Sequence, residues 1–417
     1  MARRDQQGGR RGAGRDRGKA GKSGTPGGRK SGIGRAPMAG ERGARPAARK
    51  PGQAKGPKAP KAPTAVVRAH RKLPELPPEV ERQIGPPRAG EWLFTTRPGA
   101  ERDLLEEMFY ADDKSGPRPV APSLVAARVK KGELTFARQG FRVHAVVDVV
   151  ELSRAVGDAL GASGAAQPWA LDVWVPDSDE GNRLAARASE LSSSVIAGGP
   201  WRDRRLADAR AALTENGLYA QACLLPPGDR VAVGVVAARD AVSLAPGGRL
   251  RVHVPEAAPS RAAMKLLEAF HWLDRAPDPG DVCVDLGAAP GGWTWVLLER
   301  RARVFAVDPA FLSRSLQGKR GVEHIRADAF KFEPGDPVDW LFSDMAWRPL
   351  ESAALLAKWA RRGWARFVIA NIKLPMKKKA EMMVRVREIL SDGGWKNLRT
   401  RQLYHDREEV TIAGVRL

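Results

Sequence analysis

No phenylalanine, tryptophan or tyrosine precedes Trp92 in this chain of 417 residues. Residues 1–72 consist mainly of Gly, Arg, Lys, Ala and Pro. Such a segment cannot bury enough apolar surface to offset chain entropy, so it is expected to be disordered. A Pro-rich tether, RKLPELPPEV at 71–80, extends the expected tail to residue 85. Cysteine is nearly absent too. Cys223 and Cys283 lie far apart, which excludes a disulfide framework and a C-x-x-C pair. The six histidines show no ligand spacing, so no metal site is expected. No apolar run reaches the length of a membrane span, and none of signal-peptide length follows the basic N-terminus. The expectation is a cytoplasmic protein with no membrane contact and no evident obligate protein partner.

Charge is abundant but uneven. The chain has 70 Lys+Arg against 48 Asp+Glu, a formal charge of +22. Residues 1–72 alone hold 21 basic and 3 acidic residues, leaving a net of only +4 for the rest. The surplus points to a polyanionic partner, nucleic acid first, with the tail as a non-specific phosphate-binding arm or a passive extension.

The body starts near Glu91 and has two styles. From 91 to 257 the pattern is α+β: a strand, turn and amphipathic helix in EWLFTTRPGAERDLLEEMF, strands at 124–129 and 142–149, a helix near 150–160, and a second strand–helix unit at 169–196. Asp177, Ser178 or Asp179 is placed to cap that last helix. Two modules are expected here, 91–165 and 166–257. After Pro259, buried strands (282–286, 303–308, 324–328, 338–344, 365–374) alternate with helices. That alternation predicts a doubly wound, Rossmann-like α/β sheet over 258–417.

VCVDLGAAPGGWTWVLLER, 282–300, is the sharpest local signal. A buried strand carrying Asp285 runs into a turn of Gly287, Ala288, Ala289, Pro290, Gly291 and Gly292, then a helix. Glycines there let backbone approach a ligand closely. Asp308 ends the next strand, where an acid binds a ribose diol, and Asp328 ends the third. NAD and S-adenosylmethionine both use such an arrangement. The loop is not G-x-G-x-x-G, Asp285 suits the ammonium of a methionine tail, and Asp328 is placed to read an adenine amino group. All three favour the methyl donor.

Four more charges fall at strand ends or on the helix before the sheet: Lys265 in AAMKLLEAF, Asp344 in FSDMA, Lys373 in IANIKLP and Glu409 in REEVTIAGVRL. Ligands of doubly wound folds bind beyond the carboxyl ends of the strands. Methyl transfer to a weakly acidic hydroxyl needs an oriented, alkoxide-like oxygen. A lysine serves as base there only if its pKa drops well below about 10.4. Lys373 is therefore read as general base, Asp344 as its orienting partner, and Lys265 and Glu409 as hydroxyl-positioning groups.

PSRAAMKLLEAF, DLGAAPGGWT, FSDMA and the Lys373 strand resemble the K-D-K-E signature of FtsJ-like RNA ribose 2′-O-methyltransferases. NIKLPMKKK (371–379) and RQLYHDREEVT (401–411) narrow the resemblance to the bacterial RlmM family. It is dense over 258–417, diffuse over 91–257 and absent over 1–85. The resemblance implies a ferredoxin-like region (91–165), a THUMP domain (166–257) and a methyltransferase domain (258–417). It implies methylation of a cytidine 2′-hydroxyl in large-subunit (23S) ribosomal RNA. Lys265, Asp344, Lys373 and Glu409 are its implied tetrad. Ser260, Ala289 to Gly292, Asp308, Asp328 and Asp344 are its implied donor contacts. Where the family tends to carry a second serine, this chain has Ala262. A transfer RNA substrate, or a catalytically silent assembly factor, are the competing readings. Arg261, Arg314, Lys319, Arg320 and Lys377 to Lys379 are the expected phosphate contacts. Trp347 is the expected stacking residue among tryptophans 293, 295, 340, 347, 359 and 364.

Overall fold

A computed structural model describes residues 73–128, 133–164, 167–198 and 204–417. The basic arm expected at 1–72 lies outside them. The tether ends earlier than expected. Leu76 is buried, and Pro78–Arg82 forms helix α1 with proline at its first turn, where the missing N–H is no loss. Leu76, two residues ahead of α1, and Val80 within it pack on the same apolar core.

Three sheets follow. The first is antiparallel, with strands β1 (Trp92–Thr95), β2 (Arg118–Ala121), β3 (Leu124–Ala127) and β4 (Gln139–Arg142) in the order β2-β3-β1-β4. Helix α2 (Glu101–Ala111) buries Leu104, Leu105 and Met108, an i, i+1, i+4 stripe, against it. The second sheet is built from β5 (Ala145–Asp148), β6 (Trp169–Trp174), β7 (Leu218–Leu225) and β8 (Arg230–Ala237), in the order β5-β8-β7-β6. Its helices are α3 (Leu152–Gly164), α4 (Asp179–Arg183), α5 (Ala185–Gly198) and α6 (Ala209–Thr214). Ser178 is the cap of α4, accepting a bond from Gly181 N at 3.0 Å. The single strand expected at 142–149 is divided between the two sheets. Residues up to Arg142 pair with β1, and Ala145–Asp148 pair with β8. The sheets therefore part near residue 143, not at 165, so α3 belongs with the second.

The third sheet has seven strands: β9 (Val282–Leu286), β10 (Arg303–Val307), β11 (Val322–Ile325), β12 (Val338–Ser343), β13 (Ala365–Lys373), β14 (Lys396–Arg401) and β15 (Glu409–Val415). Their order is β11-β10-β9-β12-β13-β15-β14. The first five run parallel, β15 pairs antiparallel with β13, and β14 pairs antiparallel with β15. Helices α7 (Ala263–Leu273) and α8 (Gly292–Glu299) cover one face, while α9 (Pro349–Arg361) and α10 (Lys379–Asp392) cover the other. The sheet is doubly wound, as its near-continuous apolar strands require. The chain leaves β9 in one direction, to β10, and later returns to its other side as β12. That reversal opens a crevice at the carboxyl ends of β9 and β12.

The first sheet is joined to this domain along α10 and β14. Phe94, Leu104 and Met108 share one apolar core with Leu356, Met383 and Val386. Thr135 and Thr400 hydroxyls meet at 2.9 Å, and the Arg387 guanidinium bonds both. Lys379, expected on phosphate, is buried. Its ammonium lies 3.4 Å from Asp103 and 3.1 Å from Glu408. Asp103 is pushed up to about 6 by burial, against the opposing pull of Lys379. Lys379→Met leaves the buried Asp103 without its cation, while Glu408 keeps Arg97 at 3.0 Å, so stability should fall by about 3 kcal/mol in urea unfolding. RNA affinity and its salt slope should not move. A shallower salt slope would return Lys379 to the RNA face.

Candidate active site

The loop after β9 turns where side chains would not fit. Gly287 has φ +76°, and a Cβ there would stand 2.3 Å from the Met345 side chain. Gly291 has φ +109°, and a Cβ on Gly292 would lie 2.3 Å from Ser260 Oγ. The missing side chains leave a small cavity of about 40 Å³ at the switch point. Ser260, Ala262, Asp285, Gly287, Ala289, Pro290, Gly292 and Asp344 line it. Ser260 Oγ is buried and has no partner among the described residues. A buried hydroxyl left unbonded costs free energy, so the cavity is built to hold a polar ligand.

The acids at successive strand ends differ in state. Asp285 is fully buried and accepts a 2.7 Å bond from the Thr294 hydroxyl. Burial still pushes its carboxyl up to about 7. Asp308 ties the loop to the end of β10, accepting Ala289 N at 3.1 Å and Ala310 N at 2.7 Å. Each of its oxygens keeps a lone pair for a diol. Asp328 is exposed, three residues beyond β11, and accepts Phe330 N at 2.9 Å. An acid for an ammonium, a backbone cradle, an unbonded serine and a strand-end acid together suit an amino-acid nucleoside.

Beside the cavity, Lys265 projects from α7. Its ammonium is 3.3 and 3.4 Å from the two Asp344 oxygens and 3.6 Å from Glu409. Burial lowers its pKa, but the Asp344 and Glu409 carboxylates outweigh that and raise it, so Lys265 is a fixed cation. Asp344 is raised by burial, against Lys265 and an Asn371 amide bond of 3.0 Å. The register of β13 on β15 places Lys373 opposite Glu409 and Asn371 opposite Thr411. Residues two apart share a face, so all four project on one side of the sheet. Lys373 is exposed and has no ion pair among the described residues. Asp344, read from sequence as the partner of Lys373, instead bonds Lys265 and Asn371.

Four polar residues around this cluster escaped the sequence reading: Asn371, Thr411, Asp406 and Glu268. All are buried. Glu268 accepts the backbone N–H groups of Tyr404 and His405 at 2.7 and 2.9 Å, and so fixes the loop between β14 and β15. Its position three residues after Lys265 was the available signal for a shared helix face.

Of the other expected RNA contacts, Arg261, Arg314, Lys319, Arg320, Lys377 and Lys378 are exposed. Trp293, Trp340 and Trp359 are core residues. Trp347 is 48% exposed, held by a 2.7 Å bond from its indole to Glu351 and by the Phe330 ring at 5.4 Å.

A doubly wound sheet with a glycine cradle at its switch point is the architecture of nucleotide-cofactor enzymes, and residues 258–384 match the FtsJ-like methyltransferase family. Three known proteins, each named ribosomal RNA large subunit methyltransferase M, match most of the chain. That of Halorhodospira halophila is 37% identical over 358 residues, covering 78% of this chain and 97% of that protein. Those of Alkalilimnicola ehrlichii and Laribacter hongkongensis are 34% and 35% identical, covering 78% and 77% of this chain and 94% and 95% of theirs. The chain belongs to the ribosomal RNA large subunit methyltransferase M family.

Proposed function

We propose that the chain is an S-adenosylmethionine-dependent ribose 2′-O-methyltransferase that acts in the cytoplasm on a cytidine of large-subunit (23S) ribosomal RNA. The observation that carries this reading is the meeting of Lys265, Asp344 and Glu409 within ion-pair distance, with Lys373 opposite Glu409, beside the glycine cradle. The donor supplies an already electrophilic sulfonium methyl. The chain's task is to hold a ribose oxygen in line with it and remove its proton. Asp285 and Ser260 would hold the amino-acid end of the donor, and Asp308 its ribose. Lys373, which has no ion pair among the described residues, would take the hydroxyl proton once bound RNA shuts it off from solvent beside the Lys265 cation. Lys265, a cation locked by two carboxylates, would stabilise the developing alkoxide. Asp344 and Glu409 hold that cation in place. The two preceding sheets are read as the module that engages RNA by shape.

The test is labelled methyl transfer from S-adenosylmethionine to ribosomal RNA from a deletion strain, followed by mapping of 2′-O-methyl sites. One restored site in large-subunit RNA is expected. No transfer, or an unchanged map, overturns the reading. Trp347 offers a second check. One stacked base is worth about 1–3 kcal/mol, so Trp347→Ala should weaken RNA binding roughly tenfold with donor affinity unchanged.

A further inference from the structure

Behind the four charged residues runs a buried polar chain, and it presents a proton-counting problem. Asn371 Nδ2 donates to Asp344 at 3.0 Å. The Thr411 hydroxyl faces two acceptors, Asn371 Oδ1 at 2.8 Å and Asp406 Oδ2 at 3.0 Å. It has one proton to give. Asp406 Oδ2 also accepts Leu403 N at 2.9 Å, and Asp406 Oδ1 is buried with no partner among the described residues. Asn371, Thr411 and Asp406 are each at most 3% exposed, so bulk solvent does not reach the set. Cross-strand register brings Asn371 to Thr411, and a short loop returns Asp406 beside them.

We propose that the Thr411 hydroxyl, acting through Asn371, fixes the Asp344 carboxylate in its working orientation, and that Asp406 decides which way this hydroxyl points. These are positioning residues, and the proposal rests on the methyl-transfer reading. An asparagine amide can face Asp344 with either end. Its oxygen there would oppose a carboxylate, while its NH₂ bonds it. A hydroxyl proton delivered to Asn371 Oδ1 selects the second arrangement. Asp344 is then held by Asn371 on one side and Lys265 on the other, which leaves it no free rotation beside the reacting oxygen.

Asp406 sets the direction because its own proton resolves the count. Protonated, it donates to the Thr411 oxygen, and the hydroxyl proton goes to Asn371. Ionised, it draws that proton to itself and releases Asn371. Burial pushes the carboxyl up to about 8, with Glu268 of α7 adding to the rise and Lys265 of α7 opposing it. Arg138, in the segment leading into β4, is a further charge in reach.

The experiment is steady-state methyl transfer to ribosomal RNA by Thr411→Val, Thr411→Ser, Asn371→Ala and the Thr411→Val/Asn371→Ala pair. Thr411→Val should lower kcat about tenfold with both KM values within twofold of wild type. Thr411→Ser, which restores the hydroxyl, should recover most of that rate. The double variant should be no slower than Asn371→Ala alone. In wild type, kcat should decline above about pH 8, and Thr411→Val should lack that decline. Losses that multiply in the double variant, or a serine as slow as the valine, overturn the proposal. Thr411→Ala replaces a valine variant that does not fold. A wild-type chain that transfers no methyl defeats the function reading first. An active wild type beside an unimpaired Thr411→Val defeats this inference alone.

Discussion

Lys373→Met should slow methyl transfer by about 10²–10⁴-fold, the range a positioned general base supplies. Donor affinity should stay within twofold, because Lys373 does not line the switch-point cavity. Methionine keeps the apolar stem and removes only the amine, so packing at the end of β13 is preserved. Single-turnover rates with saturating donor and RNA read the chemical step directly. The neighbouring Lys265→Met makes the assignment sharper. Lys265 is raised in pKa by Asp344 and Glu409, so it stays protonated and cannot remove a proton at neutral pH. Its loss should lower the rate and also leave Asp344 and Glu409 uncompensated, with reduced stability. A Lys373→Met enzyme at full rate would remove Lys373 from the mechanism.

The layout of the candidate site was legible in the sequence where it depends on strand ends. Asp285, the glycines at 287, 291 and 292, Asp344 and Lys373 each follow or end an apolar run. A doubly wound fold sends those positions to a single edge whatever else the chain does. The pairing inside the cluster was not legible. Whether Asp344 meets Lys265 or Lys373 depends on how α7 lies on the sheet, and on a β13–β15 register set by residues some forty positions apart. Polar residues inside apolar strands, such as Asn371 and Thr411, look like interruptions until the register makes them partners. Lys379 failed for the opposite reason. A KKK run reads as a solvated helix start, yet the third lysine turns inward because Asp103, from a different sheet's helix, meets it there. The strand at 142–149 was divided for a similar reason, since β5 finds its partner β8 more than eighty residues later.

Asp285→Asn should make the donor-free protein more stable above pH 7 while weakening donor binding about 100-fold. Both follow from one buried carboxyl. An aspartate in the unfolded chain titrates near 3.9, whereas Asp285 in the fold is pushed up to about 7 by burial. Between these values the folded state keeps a proton that the unfolded state has released. Stability from this group therefore falls as pH rises from about 4 to 7 and is flat above. Three units correspond to a penalty on the order of 4 kcal/mol at pH 8, with the opposing pull of the Thr294 bond already included. Asparagine carries no such penalty and can still accept from the Thr294 hydroxyl. An ammonium beside the carboxylate reverses the balance by favouring the ionised form. Wild-type donor affinity should consequently rise through pH 7, and the asparagine variant should show neither that rise nor the pH-dependent loss of stability. Thermal melts of the donor-free protein at pH 5 and pH 8, with donor titrations at both, measure all four quantities. An asparagine variant that binds donor as tightly as wild type would detach Asp285 from the ligand. Its burial would then be a structural cost with no functional return, which the bonded, fully enclosed position at the wall of the cavity argues against.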